Sequence, residues 1–316
     1  MPLHIAVIGA GRVGTVLGAA LARAGHHITV VGRSARSLAR ARRLLPGATF
    51  ASLAAATDAD LLLLTVSDDA LVQAAQELAD AASLRVGQTV LHTSVVHGMG
   101  ALEPLRQRGL QIGSMHPAMT FTGQLTDLDR LPGTTFTVTA EPDLLKSLRR
   151  LVECDLKGRL QSLREDQRPL YHLGLVHGAN HLVSLVNDAC DMLRAAGITH
   201  PQDVLEPLLK AALDNALRSG DHGLTGPIAR GDVGTLEWHA ATLEQTRHPA
   251  ADAYITLAHR TAERAHHAGI LSDVTAARLM DAIAIRRIVG PRQPDGGRGA
   301  RSRSDLAALT PDLDVP

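Results

Sequence analysis

The stretch His4-Ile5-Ala6-Val7-Ile8-Gly9-Ala10-Gly11-Arg12-Val13-Gly14 decides the fold. A short apolar run enters a G-x-G-x-x-G signature, and the segment after it, Arg12–Ala24, carries an apolar stripe at helical spacing. That context, a strand before and a helix after, makes the signature informative. Gly9 permits the tight turn, Gly11 lets a pyrophosphate approach the backbone, and Gly14 lets helix and strand pack closely. The helix N-terminus adds free N–H groups and the positive end of a dipole, where phosphate is stabilised. Gly9, Ala10, Gly11, Arg12, Val13 and Gly14 are therefore the expected phosphate-binding turn.

Outward from this turn, short apolar runs alternate with amphipathic segments. His4–Ile8, Ile28–Val31, Leu61–Val66, Thr89–Leu91 and Gln111–Met115 read as strands. Arg12–Ala24, Ser34–Leu44, Ala70–Ala81 and Gly100–Gln107 read as helices, and a further strand at Thr134–Thr139 leads to a helix from Pro142 to Val152. Such alternation implies a parallel sheet covered on both faces. After Asp155 the pattern is helical, near 167–195, 202–218, 235–245, 249–268 and 273–288, with hardly a strand signal. From Gly290 the chain is rich in Pro, Gly, Arg and Ser and loses periodicity, which reads as a disordered tail whose charges cancel. The expected organisation is an α/β Rossmann-type dinucleotide-binding domain over 1–157, mostly parallel and doubly wound. An all-helical domain over 158–289 and the tail over 290–316 follow.

The 316 residues hold 32 basic and 32 acidic side chains, without the positive excess that a nucleic-acid partner demands. One Trp, two Tyr and three Phe offer few platforms for stacking bases. Cys154 and Cys190 are too few for a disulfide framework and match no metal spacing. No run approaches the roughly 20 apolar residues that span a bilayer, and no basic region followed by a cleavable apolar stretch opens the chain. The expectation is a soluble cytoplasmic protein with no membrane or nucleic-acid partner. The only lysines are Lys146, Lys157 and Lys210, which restricts lysine chemistry.

A site preferring NAD usually offers Asp or Glu to the ribose hydroxyls at the end of the second strand. Here Gly32-Arg33-Ser34 stands instead, and no acidic residue follows before Asp58. Arg33 and Ser34, with Arg36 as possible help, favour a ribose phosphate, so NADP is the expected cofactor and NAD the alternative. Arg40, Arg42 and Arg43 read as a solvated basic helix face.

Ligands of open parallel sheets collect at the carboxyl ends of the strands. At one such end lies Thr65-Val66-Ser67-Asp68-Asp69, where the main chain at Val66 and Ser67 flanks the nicotinamide half of a dinucleotide and Asp68 or Asp69 suits a helix N-cap. His92-Thr93-Ser94 and Ser114-Met115-His116-Pro117 end the next two strands and bring His92 and His116 to one mouth. A histidine there donates a proton to a carbonyl oxygen while hydride arrives, or simply makes a structural hydrogen bond. On the helix from Gln167, His177, Asn180, His181, Ser184, Asp188 and Asp191 share one stripe without Lys, Arg or Glu. The expectation is a partly buried stripe facing a cleft. His177-Gly178-Ala179-Asn180-His181 lacks the Glu of a metalloprotease motif, and no metal is expected. In Leu224-Thr225-Gly226-Pro227-Ile228-Ala229-Arg230-Gly231-Asp232, Asp232 suits an N-cap and Arg230 a bidentate clamp on a carboxylate or phosphate.

The glycine turn, Val31-Gly32-Arg33-Ser34, His92-Thr93-Ser94, His116-Pro117, Tyr171-His172 with Asn180, and Leu224–Asp232 together resemble one family. It comprises Rossmann-like oxidoreductases that carry a helical domain of unknown function. The resemblance covers about residues 3–288, is most specific at Leu224–Asp232, and extends to the wider 6-phosphogluconate dehydrogenase-like group, including ketopantoate reductases. It implies an N-terminal NADP domain, an all-helical 6-phosphogluconate dehydrogenase-like C-terminal domain that often dimerises, and a substrate cleft between them. Hydroxyacid members of the group use a lysine four residues before an asparagine on the first long helix. Here the position four before Asn180 is Val176, and none of the three lysines lies on that helix. If the protein is a dehydrogenase, a histidine (His116, His172 or His177) must then replace the lysine.

The resulting expectation is an NADP-dependent oxidoreductase acting on a small anionic carbonyl or hydroxy compound, forming a homodimer through the helical domain. His116 is the leading acid/base, with His172, His177 and Asn180 as further catalytic candidates. Ser94, His92, Arg230 and Thr225 are expected on the substrate. The rival is an NADP-binding sensor or scaffold without hydride transfer.

Overall fold

The computed structural model describes residues 1–81 and 83–288; the expected tail over 290–316 lies outside the described residues. The chain divides into two compact units, one ending at Leu182 and the other starting at Val183.

The first unit is built on eight strands: β1 (His4–Ile8), β2 (His27–Val31), β3 (Thr49–Phe50), β4 (Leu61–Leu64), β5 (Thr89–His92), β6 (Gln111–Pro117), β7 (Thr135–Ala140) and β8 (Arg159–Ser162). They form one sheet in the order β3-β2-β1-β4-β5-β6-β7-β8. β1 to β6 run parallel, β7 is antiparallel to β6, and β8 is parallel to β7. The helices of this unit are α1 (Arg12–Arg23), α2 (Ala35–Leu44), α3 (Leu53–Ala56), α4 (Asp68–Ala79), α5 (Glu103–Gln107), α6 (Thr126–Arg130), α7 (Pro142–Arg150) and α8 (Arg168–Leu175).

Strand periodicity distributes the core to both faces. Ile5, Val7, Leu61, Leu63, Leu91 and Met115 pack with Val16, Leu17 and Leu21 of α1 and Leu144 and Leu148 of α7. Their neighbours Ala6, Ile8, Leu62, Leu64, Val90 and Ile112 pack with Leu71, Ala75 and Leu78 of α4 and Leu105 of α5. β4 is buried throughout because helices cover both of its faces.

Two strands escape the sequence patterns, and both are edges. β3 has two residues, and β8 reads Arg-Leu-Gln-Ser with no fully buried position. An edge strand lacking a buried face carries no apolar alternation. β8 places residues 159–162 in the sheet, beyond the residue at which the helical pattern begins. The long helix expected over 167–195 is interrupted: a π turn at Val176–Asn180 separates α8 from α9 (His181–Ala195).

The second unit continues along α9 into α10 (Pro201–Ser219), α11 (Gly226–Ala229), α12 (Val233–Thr246), α13 (Ala251–His267) and α14 (Asp273–Ile288). Its core joins Ile228, Leu236, Ala258, Ala262, Leu271, Leu279 and Ile283. Asp232 caps α12 by accepting the Thr235 N–H at 3.0 Å, as its position suggests. Val183 and Leu185 of α9, and Val204, Leu208, Leu213 and Leu217 of α10, are exposed. Among the described residues no helix is long and apolar enough to cross a membrane.

Candidate active site

The glycine turn is fixed to the end of β4. Gly9 has φ +114°, in the region only glycine enters freely, and a Cβ there would lie 2.7 Å from the Thr65 carbonyl carbon. At Gly14 a Cβ would lie 2.1 Å from Thr65 Oγ1 and 2.2 Å from Gly9 O. The Thr65 hydroxyl donates to Gly9 O at 2.6 Å and holds the turn against its neighbour. Gly11 differs, because a Cβ there would meet nothing closer than Thr65 O at 3.8 Å. Gly11 is also the N-cap of α1, and no side chain caps it. The turn therefore combines tight packing behind with open backbone in front, the shape and donor chemistry that a pyrophosphate fits.

Ala10 and Gly14 are buried, Gly11 and Val13 half-buried and Arg12 exposed. At the end of β2, Ser34 caps α2 by accepting the Ser37 N–H at 3.2 Å. Arg33 is exposed and pairs with Glu77 of α4, a pairing a ribose phosphate would compete with. Ser67, rather than Asp68 or Asp69, is the N-cap of α4; Ser67 is exposed and Val66 half-buried.

The strand-end histidines sit in a polar row set by register. His92 of β5 pairs with Ser114 of β6, which pairs with Thr139 of β7, so the three side chains share one face. His116, two residues beyond Ser114, lies on that same face. His92 is fully buried, and its Nε2 lies 3.1 Å from Gly98 O. A carbonyl only accepts, so Nε2 carries the proton. Burial pulls the His92 pKa down to about 4, helped by the nearby Arg168 charge and opposed by the Gly98 bond, so the ring is neutral at neutral pH.

Arg168, at the start of α8, closes the row. Its Nη1 donates to Ser114 Oγ at 2.9 Å and Thr139 Oγ1 at 3.1 Å, and its Nη2 to Ser94 O at 2.8 Å and His97 O at 2.5 Å. Glu165 Oε2 stands 4.0 Å from Nε, while Glu165 Oε1 accepts the Met99 N–H at 2.7 Å. Gly98 makes room for that carboxylate, since a Cβ there would fall 1.8 Å from Oε2. The turn after β5 is thus bound to the segment that starts α8. Ser94 serves this framework twice, through its carbonyl and through its hydroxyl, which accepts the His97 N–H at 3.1 Å.

Tyr171, one turn along α8, places its hydroxyl 3.3 Å from His116 Nδ1, with the two rings edge to face at 5.9 Å. The His116 pKa is lowered to about 4 by burial, then by Arg168 and His172, against the opposing pull of Asp68. His116 is therefore an uncharged imidazole at neutral pH, paired with a phenol. His172 is half-buried, whereas His177 and Asn180 are exposed within the π turn. The expected partly buried stripe is not formed in the chain as described. Only Asp188 of the six is half-buried, and the others are exposed. The π turn displaces the helical register on which that expectation depended. His177 and His181 stack edge to face at 5.5 Å. In the second unit Arg230 is exposed, and Thr225, also exposed, is the N-cap of α11.

Neither Arg168 nor Glu165 stands out in the sequence, and Tyr171 does so only through the family resemblance. Arg168-Pro169 at a first helical turn looks like an ordinary helix start, and nothing local shows that the guanidinium turns inward. Among the described residues no group of three or more His, Cys, Asp or Glu side chains could hold a metal ion.

Residues 1–117 match the Rossmann-like domain family, and residues 134–261 match the domain of unknown function DUF2520. The chain joins a Rossmann-like domain to a DUF2520 domain. Among curated proteins, none matches the sequence. Solved structures share the fold of this Rossmann–DUF2520 chain. A candidate NADP oxidoreductase from Bacteroides fragilis is 22% identical with a TM-score of 0.70, covering 83% of this chain and 98% of its own. A reductive aminase from Aspergillus terreus, in complex with NADPH and ethyl levulinate, is 22% identical with a TM-score of 0.62, covering 89% and 99%. An imine reductase from Myxococcus stipitatus, in complex with NADP+, is 19% identical with a TM-score of 0.60, covering 88% and 99%. At these identities the likeness establishes the fold.

Proposed function

We propose that this Rossmann–DUF2520 protein is an NADP-dependent oxidoreductase that transfers hydride to or from a small carbonyl, imine or hydroxy compound. The observation that carries the reading is the Tyr171–His116 pair, set on the same strand-end edge of the sheet as the open glycine turn. The folds shared with an imine reductase and a reductive aminase add support.

In this reading the backbone at Gly9–Gly14 and the start of α1 hold the pyrophosphate. Arg33 exchanges Glu77 for a ribose phosphate, beside Ser34. Bound NADPH supplies the hydride. The protein's own task is then the proton. An uncharged imidazole and a phenol each hold one donatable proton, and the pair delivers it to the substrate oxygen or nitrogen as that atom gains electron density. Asn180, at the end of the π turn that follows α8, orients the substrate in this reading. The bonds of Ser94 and His92 fit them to the frame that presents the pair.

A homodimer is part of the same reading. Val183 and Leu185 on α9 and Val204, Leu208, Leu213 and Leu217 on α10 are exposed, and a second copy of the chain is their proposed cover.

The test is NADPH oxidation by the full chain against aldehydes, 2-oxo acids and imines, with His116→Ala beside it. The expected result is substrate-dependent oxidation that His116→Ala loses while NADPH affinity is kept. Tight NADPH binding with no oxidation across the panel would favour the sensor, and a preference for NADH would remove the role given to Arg33.

A further inference from the structure

Arg168 and Asp127 are buried charged side chains among the described residues. Asp127 has a local task, accepting the N–H groups of Thr122 and Gly123 and the Thr122 hydroxyl. Arg168 ties the turn after β5 to α8, but the hydride-transfer reading gives its charge no task, and a buried charge is costly. Its four hydrogen bonds go to neutral groups, and its single ion-pair partner among the described residues, Glu165, lies 4.0 Å away and is half-exposed.

We propose that Arg168 is a positioning residue for the Tyr171–His116 pair, its guanidinium fixing Tyr171 against His116 and its charge facing the imidazole. The geometry supports both parts. Ser114 and His116 lie on one face of β6, about 7 Å apart along the strand. Arg168 and Tyr171 are three residues apart on α8 and so share one side of the helix. Anchoring Arg168 on Ser114 and Thr139 therefore sets Tyr171 beside His116, the Tyr171 hydroxyl reaching to 3.3 Å from Nδ1. The fork is needed for this, because Nη1 takes the two hydroxyls while Nη2 takes the two carbonyls of the turn after β5; a lysine presents one nitrogen to the same four acceptors.

The groups facing His116 are Arg168, Tyr171 and His172 from α8 and Asp68 from the start of α4. Arg168 and His172 disfavour the charged ring and Asp68 favours it; burial acts in the same direction as Arg168. The proposal rests on the oxidoreductase reading only for what the pair does, and the titration that tests it does not require turnover; only the Arg168→Lys rate does.

The test is an NMR titration of the full chain labelled with ¹⁵N-histidine, without cofactor, the His116 signal being assigned with His116→Gln. In the wild type the ring stays neutral down to about pH 4. In Arg168→Gln the midpoint rises by about one pH unit yet stays below the ordinary value, because burial remains. The double variant Ser114→Ala/Thr139→Val removes two bonds and keeps the charge, and its midpoint stays with the wild type. Arg168→Lys keeps the midpoint low and lowers kcat about tenfold through the lost fork. An Arg168→Gln midpoint equal to the wild type overturns the proposal, and so does an equal rise in the double variant, which would show loosened packing instead of charge. If Arg168→Gln does not fold, a raised midpoint in Arg168→Lys or the double variant overturns it, and a low midpoint in both together with the tenfold lower kcat of Arg168→Lys supports it. Failure of the oxidoreductase reading shows separately, as an absence of substrate-dependent NADPH oxidation by the wild type.

Discussion

His92 and His116 bring pH dependence to the fold as well as to the site. Both rings have folded pKa values near 4, below the ordinary 6.5. The unfolded chain therefore binds more protons between those values, and stability falls as pH drops from about 6.5 toward 4. Chemical denaturation across that window should show the decline, and His92→Asn should flatten it; an unchanged slope in His92→Asn would place the titration elsewhere. At the glycine turn the limit is steric. Gly14→Ala forces a methyl group onto Thr65 Oγ1 and Gly9 O and should cost about 1–3 kcal/mol, read as a lower Tm, together with lost NADPH affinity. Residue type alone makes Gly9 and Gly14 legible, because no side chain tolerates the contacts a Cβ would make there. It does not reveal Arg168, whose meaning depends on Ser114, Thr139, Ser94 and His97, partners from 29 to 74 residues away.

At the scale of elements, what the sequence shows depends on burial. β1, β4 and β6 announce themselves through apolar residues that pack on both faces or alternate between them. β3 and β8 are edges with little apolar surface to bury, and their pairing is dictated by neighbours. The π turn at Val176–Asn180 is similarly silent, since it inserts one extra residue into a helical pattern without changing composition. The cap of α12 is legible because it is local: Asp232 accepts both the Thr235 N–H and the Thr235 hydroxyl. Asp232→Ala should lower stability, measured as an earlier midpoint in denaturant unfolding, and no loss would mean that α12 starts without this cap.

At the scale of the molecule, the second unit poses the question of partners. Leu208 and Leu217 are 63% and 79% exposed on α10, positions at which a monomeric helix usually carries polar side chains. Light scattering should find a dimer, and Leu208→Glu/Leu217→Glu should shift it toward monomer while the circular dichroism stays helical; a wild-type monomer would refute the assembly. The first unit poses the question of chemistry, and its central claim is that Tyr171 and His116 supply a proton beside an NADPH site. The most direct measurement is NADPH oxidation with a reducible imine, aldehyde or 2-oxo acid, compared between the wild type and Tyr171→Phe, with NADPH affinity determined for both. The account predicts turnover reduced by about 10²-fold or more in Tyr171→Phe with NADPH affinity unchanged; equal turnover in the two proteins would contradict it.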